Sequence, residues 1–343
     1  MMQRNHRLPR LRLTGGRIAL LFLFIALLMS ACSAANEAPQ SEGSGDANRS
    51  ENSTGSGNDE TFKPYTVKHA MGETLIPKKP ERVVILTNEG TEALLALGVK
   101  PVGAVKSWTG DPWYDHIKAD MEGVTVVGDE SQPNLEVITS LKPDLIIGNK
   151  LRQEKIYEQL KQIAPTVFSE TLRGEWKNNF RLYAEALNKK EEGDKVIAAF
   201  DARIEDFKKK AGDKLNLKVS VVRFLPGAVR IYYKDSFSGV IFQQIGIARP
   251  ESQNKNAFAD EVTKERIPDM DGDLLFYFTY ETGDGKASQL EQEWLKDPLW
   301  NNLQVVKNGN VHKVDDAIWN TAGGVKAANL LLDDLYKFYG LNP

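Results

Sequence analysis

The 343-residue sequence contains a single cysteine and only four histidines. One thiol cannot form a disulfide within the chain, and the histidines (His6, His69, His116 and His312) are too scattered to suggest a metal-ligand motif. The sequence also lacks a GxSxG elbow, a GxGxxG after a strand and an HExxH motif. We therefore expect no enzyme activity, no resident metal ion and no cofactor.

Long apolar runs are scarce, and the longest lies near the N-terminus. IALLFLFIALLM (18–29) has twelve apolar residues, whereas a transmembrane helix needs about 20. Residues 1–17, which precede it, contain five arginines and no acidic residue, and small residues follow it. A basic head, a short apolar run and small residues are typical of a secretory signal peptide, which we assign to residues 1–31.

The single cysteine, Cys32, ends the sequence LMSAC. LMSAC resembles the lipobox of bacterial lipoproteins, in which the cysteine becomes the first residue of the mature chain. This resemblance implies lipid chains, such as palmitate, on Cys32 and a membrane anchor. The alternative is a buried free cysteine, although polar sequence and not core follows it. Residues 32–61, rich in Ser, Gly and Asn, are predicted to be a flexible tether.

The sequence also has no net positive charge. The chain has 44 Lys and Arg residues against 47 Asp and Glu residues. Removal of residues 1–31 takes away five arginines and no acidic residue, which leaves 39 basic against 47 acidic residues. A net acidic chain is a poor candidate for binding nucleic acid, so we expect no nucleic-acid partner.

Residues 62–343 alternate strand-like and helix-like segments, which predicts an α/β fold. The alternation occurs twice, in an N-terminal lobe (62–189) and a C-terminal lobe (212–343). Residues 190–211 between them are predicted to form one interlobe helix, roughly 30 Å long. Its apolar residues recur at helical spacing: Ile197, Phe200, Ile204 and Phe207.

A β-hairpin is predicted where VVRFLPGAVRIYY (221–233) places a Pro-Gly turn between two strand-forming runs. Its symmetry puts Arg223 opposite Arg230, with Tyr232 on the same strand face as Arg230. Facing like charges destabilise a strand pair by up to about 1 kcal/mol. Two explanations stay open: an acidic or oxygen-rich ligand accepts both guanidinium groups, or carboxylates of the protein, or solvent, do.

Large aromatic residues occur in two further predicted loops. Trp108 and Trp113 lie in KSWTGDPWYDHIK, and Trp319 lies in DDAIWNTAGG. Each ring could cover the core or form the wall of a pocket. Because ligands of open α/β sheets bind beyond the carboxyl ends of the strands, we predict a cleft between the lobes, lined by aromatic rings and guanidinium groups.

Four blocks of the sequence, in matching order, resemble the iron–siderophore substrate-binding lipoproteins of ABC importers. They are MGETLIPKKPERVVILTNEGTEALLALGVKPVGAV (71–105), LEVITSLKPDLIIGNK (135–150), RFLPGAVRIYYKDSFSGVIFQQIGIARP (223–250) and WNTAGGVKAANLLLDDLY (319–336). The likeness covers 62–343 and is greatest to binders of ferric hydroxamate and citrate-hydroxamate siderophores in Gram-positive bacteria. It implies two Rossmann-like lobes joined by a single long helix, the class III periplasmic-binding-protein fold.

The resemblance also implies a function. The chain would be a receptor, anchored by lipid to the outer face of the cytoplasmic membrane, that delivers a ferric siderophore to an ABC permease and its ATPase. The siderophore would wrap the iron, so the protein would need no metal ligands of its own. The resemblance implies these ligand contacts: Arg223, Arg230, Tyr232, Trp108, Trp113 and Trp319.

The resemblance also implies that the chain docks on the permease through one acidic residue on each lobe. Glu92 matches this residue in the first lobe, whereas Gln243 stands at the matching position of the second. Glu92 could also be an ordinary solvated helix residue.

Two alternative functions remain open. One is a receptor for haem or a corrinoid on the same fold, which would need an axial His or Tyr in the cleft. The other is an extracellular hydrolase, which would need a nucleophile and a base, and the sequence offers no candidate pair.

Overall fold

The computed structural model of the chain describes residues 62–343. The predicted signal peptide, the predicted lipidation site Cys32 and the predicted tether lie outside the described residues. In the part of the chain that is described, no helix combines the length and the apolar character needed to cross a membrane.

The N-terminal lobe is built on a parallel five-stranded sheet of order β5-β4-β3-β6-β7. Its strands are β3 (Val83–Ile85), β4 (Gly103–Ala104), β5 (Thr125–Val126), β6 (Leu145–Asn149) and β7 (Thr166–Ser169). Its helices are α1 (Asn88–Ala96), α2 (Leu135–Ser140), α3 (Lys150–Gln153), α4 (Tyr157–Ile163) and α5 (Trp176–Ala186). The central strands β3 and β6 are buried along their whole length, as their continuous apolar runs predict.

A two-stranded hairpin precedes this sheet and was not predicted from the sequence. Strand β1 (Tyr65–His69) pairs antiparallel with β2 (Gly72–Ile76). The hydroxyl of Thr74 donates a hydrogen bond of 2.8 Å to the carbonyl of Thr166, which attaches the hairpin to β7.

One helix of 22 residues, α6 (Lys190–Ala211), follows the N-terminal lobe and occupies the residues assigned to the interlobe helix. Ile197, Phe200, Ile204 and Phe207 are all buried on one face. Gly193 lies inside the helix, where an added Cβ would sit 2.6 Å from the Cβ of Ala184. The absence of a side chain at Gly193 therefore permits the close packing of α5 on α6.

The C-terminal lobe has a mixed five-stranded sheet of order β10-β9-β8-β11-β12. Its strands are β8 (Val219–Leu225), β9 (Ala228–Tyr232), β10 (Ala259–Val262), β11 (Leu274–Thr279) and β12 (Val311–Lys313). Its helices are α7 (Phe237–Ile245), α8 (Lys286–Leu295), α9 (Pro298–Asn302), α10 (Gln304–Lys307) and α11 (Val325–Phe338), with a π-helical turn at Ala317–Thr321. Strand β10 was not predicted from the sequence.

The two lobes share one continuous apolar core. It runs from Ile85 in the N-terminal sheet through Phe200 in α6 to Phe276 in the C-terminal sheet. The terminal helix α11 also packs against α1, across the boundary between the lobes. This continuous packing favours a small change in lobe angle on ligand binding over a wide closure.

Candidate ligand-binding cleft

A cleft between the lobes receives side chains from both of them. It encloses about 870 Å³ of non-protein space, part of which is open to solvent, a size within the range of small-molecule sites. Its lining residues include Glu89, Trp108, Glu130, Arg152, Arg173, Arg223, Arg230, Phe258, Tyr280 and Thr321. Several of them directly follow the carboxyl ends of strands β3, β6 and β11, which is where the sequence analysis expected a ligand.

Four arginines line this cleft, and the sequence analysis identified two of them. Arg152 lies in α3, just after β6, and Arg173 lies in the segment after β7. The sequence does place both arginines shortly after buried strands. Their position in the cleft follows only from the sheet order, which puts the ends of β6 and β7 side by side.

Arg223 and Arg230 are paired directly across the hairpin, as predicted. Arg223 is buried and donates two hydrogen bonds to Asp316, from Nε at 2.6 Å and from Nη2 at 3.1 Å. Its Nη1 donates to the hydroxyl of Tyr232 at 3.1 Å. Burial disfavours the charge on Arg223, but Tyr232 and Asp316 outweigh it and raise the pKa of Arg223 above its ordinary value. Of the two explanations left open by the sequence, pairing with a carboxylate of the protein therefore applies to Arg223.

Arg230 has a much weaker partner. Its Nη2 lies 3.4 Å from Oε2 of Glu261, the residue opposite it on β10, and both side chains are well exposed. Exposed ion pairs of this kind stabilise a protein by about 0–1 kcal/mol. The guanidinium group of Arg230 can therefore exchange Glu261 for a ligand at little cost.

Of the four arginines that line the cleft, Arg173 is the one whose charge no acidic residue within 62–343 neutralises. It has no ion pair with any other residue in 62–343, and its guanidinium carbon lies 3.7 Å from the centre of the Phe258 ring. Burial, and then the charge of Arg152, lowers the pKa of Arg173, and Arg230 acts in the same direction. Its backbone has φ of 75°, a left-handed conformation that costs a residue with a side chain about 1–3 kcal/mol and often marks a functional site.

Trp108 lies in the cleft wall, where the sequence analysis placed it. The guanidinium carbon of Arg152 is 5.7 Å from the centre of its ring. Tyr280, from the opposite lobe, donates a hydrogen bond of 3.4 Å to the Trp108 carbonyl. Arg223 lies over the Tyr280 ring at 4.9 Å. Aromatic faces and guanidinium groups therefore alternate along the cleft.

Three aromatic residues predicted to contact a ligand lie in the core instead, and those predictions are wrong. Tyr232 is fully buried behind Arg223. Trp319 is fully buried against Phe276, and its Nε1 donates to Asp334 at 2.8 Å. Trp113 is buried in the apolar core that the two lobes share.

Glu92 is also buried, which disagrees both with its predicted role in permease docking and with the alternative of a solvated helix residue. Its Oε1 contacts Nε2 of His116, and its Oε2 accepts a hydrogen bond of 2.9 Å from the backbone N–H of Ala327. Glu92 thus connects α1 to the Trp113 loop and to α11. Gln243, on the second lobe, is exposed, and its side-chain amide donates to the carbonyl of Lys234.

Two carboxyl groups accompany the arginines in the cleft wall. Glu130 accepts hydrogen bonds from the backbone and side chain of Asn88 at 2.7 and 2.9 Å, and its Oε2 lies 3.3 Å from Nε of Arg152. Glu89 accepts one bond of 2.8 Å from Asn179 through Oε1. Its Oε2 is buried and has no partner among the described residues.

Burial raises the pKa of Glu89 well above its ordinary value, and it outweighs the hydrogen bond from Asn179. The nearby carboxyl groups of Glu130 and Glu92 raise it further. The position of Glu89 in the first turn of α1 favours the charged form by only about 0.3–1 kcal/mol. Burying a carboxylate without a counter-ion costs several kcal/mol, so burial outweighs the helix dipole and favours the protonated form of Glu89.

The described residues offer few metal ligands. No group of three or more His, Cys, Asp or Glu side chains within 62–343 is arranged to hold a metal ion. His69, His116 and His312 do not line the cleft, whereas Tyr280 does.

Comparison with known proteins places the chain among binding proteins. A sequence model of the family described as periplasmic binding protein matches residues 83–317. The chain is 54% identical to a probable siderophore-binding lipoprotein of Bacillus subtilis (strain 168), over 94% of this chain and 98% of the relative. An Fe(3+)-citrate-binding protein of the same organism is 34% identical, over 84% of this chain and 90% of the relative.

A solved structure shares the fold. The crystal structure of Staphylococcus aureus SirA complexed with staphyloferrin B matches with a TM-score of 0.76 and 38% identity, over 81% of this chain and 99% of that one. The predicted fold class, two α/β lobes joined by a long helix, is confirmed by this likeness.

Proposed function

Because this chain belongs to the periplasmic binding protein family, we propose that it is the receptor that binds a ferric siderophore in the interlobe cleft and delivers it to an ABC permease. The relatives support this function, since one is named a probable siderophore-binding lipoprotein and another an Fe(3+)-citrate-binding protein. Binding and release are the whole task, and no bond is made or broken.

The observation that carries this proposal is the set of guanidinium groups in the cleft. Arg173 lacks an ion pair within 62–343, and Arg230 has only a long, exposed one. Guanidinium groups bind carboxylate and other planar oxygen acceptors through paired N–H donors. A ferric siderophore with an anionic oxygen shell supplies such acceptors, while Trp108 and Tyr280 pack on its apolar parts.

The iron is cargo in this scheme. The siderophore supplies all of its ligands, and the protein contacts only the organic shell. Arg152 and Arg223 contribute positive potential while they stay tied to Glu130 and Asp316. Arg173 and Arg230 donate directly to ligand oxygens.

We further propose that Cys32 carries the lipid that holds the receptor at the outer face of the cytoplasmic membrane of a Gram-positive cell. The LMSAC sequence and the word lipoprotein in the name of a relative support this location. Radiolabelled palmitate should enter the wild-type protein but not a Cys32→Ser variant. Equal labelling of both proteins would contradict the assignment of Cys32.

Quenching of tryptophan fluorescence tests the ligand. Wild-type protein is titrated with ferric citrate, ferric citrate-hydroxamates, ferric trihydroxamates and haemin. We expect saturable quenching by at least one ferric siderophore and none by the iron-free form. Among the described residues that line the cleft, Tyr280 is the only Tyr or His and thus the candidate ligand for haem iron, so a Tyr280→Phe variant is titrated in parallel. Binding of haemin alone, lost in Tyr280→Phe, would replace the siderophore proposal by the haem alternative.

A further inference from the structure

Glu89 has a place in the cleft that the proposed function leaves unexplained. It lines the cleft, yet one of its carboxyl oxygens is buried and has no hydrogen-bond partner within 62–343. An oxygen that is shielded from water and lacks a donor strongly disfavours an ionised carboxylate. A carboxylic acid that retains its proton fits this environment.

The groups that surround Glu89 act in both directions. From α5, Asn179 donates to its Oε1 and Tyr183 lies close by, and both favour the ionised form, whereas burial and the neighbouring carboxyl groups favour the protonated one. Glu130 approaches from the loop before α2, and Glu92 lies on α1 itself. The nearest basic groups are already engaged by the other two carboxyl groups, Arg152 by Glu130 and His116 by Glu92.

The charge of the cleft depends on this proton. Its four guanidinium groups face three other carboxylates, those of Glu130, Asp316 and Glu261. With Glu89 neutral, one positive charge is left over, and Arg173 is the arginine without an ion pair. With Glu89 ionised, the formal charges balance and the cleft attracts an anion less strongly.

We propose that Glu89 holds a proton at the wall of the cleft and that this proton determines the preference of the receptor for anionic siderophores. This inference rests on the proposed function for the identity of the ligand. It assigns Glu89 a role in specificity that needs no direct contact with the iron chelate. Deprotonation of Glu89 adds one negative charge to the cleft and opposes an anionic ligand, whereas a neutral chelate is affected far less.

The proton itself is tested without any ligand. A protonated carboxyl group gives an infrared C=O stretching band that a carboxylate lacks. We expect this band in the difference between wild-type and Glu89→Gln protein at neutral pH, and no such band between wild-type and Glu136→Gln, whose carboxyl group is exposed on α2. In the wild-type protein alone, the band should disappear only at alkaline pH. Its absence at neutral pH would overturn the inference.

The effect on specificity is tested with ferric citrate, which is anionic, and ferrichrome, which is neutral. The ratio of wild-type to Glu89→Gln affinity for ferric citrate should fall roughly tenfold from about pH 6 to about pH 9. The ratio for ferrichrome should stay constant, and Glu136→Gln should follow the wild type with both ligands. Because both proteins are titrated with the same chelate at each pH, the ratio of their affinities cancels any change in the ionisation of the chelate.

The outcomes separate this inference from the proposed function. A constant ratio for ferric citrate would overturn the role of Glu89 in specificity while leaving the receptor function intact. Failure of wild-type protein to bind ferric citrate at any pH would overturn the preference for anionic chelates. Failure to bind any ferric siderophore of the panel would overturn the proposed function, and the infrared band would still decide the protonation of Glu89.

Discussion

The guanidinium carbon of Arg173 lies 3.7 Å from the centre of the Phe258 ring, so a cation of the N-terminal lobe rests on an aromatic ring of the C-terminal lobe. Such a contact stabilises by about 0.5–2 kcal/mol. It uses the face of the guanidinium group and leaves the N–H donors in its plane available. Arg173 can therefore bind an anion without first breaking an ion pair.

Replacing Arg173 by Ala should weaken ferric siderophore binding by roughly ten- to a hundredfold, because a hydrogen bond to a charged group contributes about 1.5–3 kcal/mol. The free energy of unfolding should fall by no more than about 0.5–2 kcal/mol, the contribution of the contact with Phe258. Fluorescence quenching titrations and melts measure the two effects. Arg181→Ala is the control, since Arg181 is exposed on α5, does not line the cleft and donates a hydrogen bond of 3.4 Å to Asn178. Equal loss of affinity in both variants would contradict a specific role for Arg173.

Arg223 and Arg230 face each other across one hairpin, but the same substitution should affect them differently. Arg223→Ala leaves Asp316 buried without its counter-ion, which should destabilise the fold by about 3–5 kcal/mol. Arg230→Ala removes only an exposed contact with Glu261 and should change stability by less than about 1 kcal/mol while weakening ligand binding. Chemical denaturation measures both. Equal losses of stability would contradict the division between a structural and a ligand-binding arginine.

Much of this architecture follows from local sequence pattern. The apolar spacing between 190 and 211 predicts the bounds of α6, and the Pro-Gly turn predicts the register that pairs Arg223 with Arg230. Both depend on interactions between residues that are close in sequence. Strand β10, by contrast, has the sequence ADEV, which lacks both apolar alternation and a long apolar run. It forms because β9 offers an open edge.

The direction of a side chain in a loop depends on distant residues. Trp319 is buried because Phe276 and Asp334 meet it from other elements. Glu92 is buried because α11, more than 230 residues further along, places the N–H of Ala327 beside it. Arg173 enters the cleft because Phe258 supports it. None of these partners is indicated by neighbouring sequence, so residue type was predicted better than residue placement.

Replacing Glu92 by Ala should lower the free energy of unfolding, whether or not it also impairs docking on the permease. The substitution leaves the N–H of Ala327 and the ring of His116 without their acceptor, and an unsatisfied buried group costs about 1–3 kcal/mol. Denaturant titration measures the loss. Glu136→Ala is the control, since an exposed substitution changes stability by about 0.5 kcal/mol or less. A Glu92→Ala protein with unchanged stability and impaired uptake would restore the docking interpretation.

The stability of the folded chain should depend on pH through Glu89. Its pKa is raised in the folded state, so between the ordinary pKa of Glu and the raised value the folded chain holds a proton that the unfolded chain has released. The contribution of Glu89 to the free energy of unfolding is therefore fully present below the ordinary pKa of Glu. As pH rises through that window, this contribution decreases by about 1.4 kcal/mol per pH unit.

A Glu89→Gln variant has no such proton, so its stability relative to the wild type should increase as pH rises from about 4 to about 9. Thermal melts of the two proteins across this range measure the difference, and Glu136→Gln should follow the wild type because its carboxyl group is exposed on α2. The isosteric amide keeps an acceptor for Asn179, so the comparison isolates the charge. Parallel curves for wild type and Glu89→Gln would mean that the buried carboxyl group ionises as freely in the folded chain as in the unfolded one.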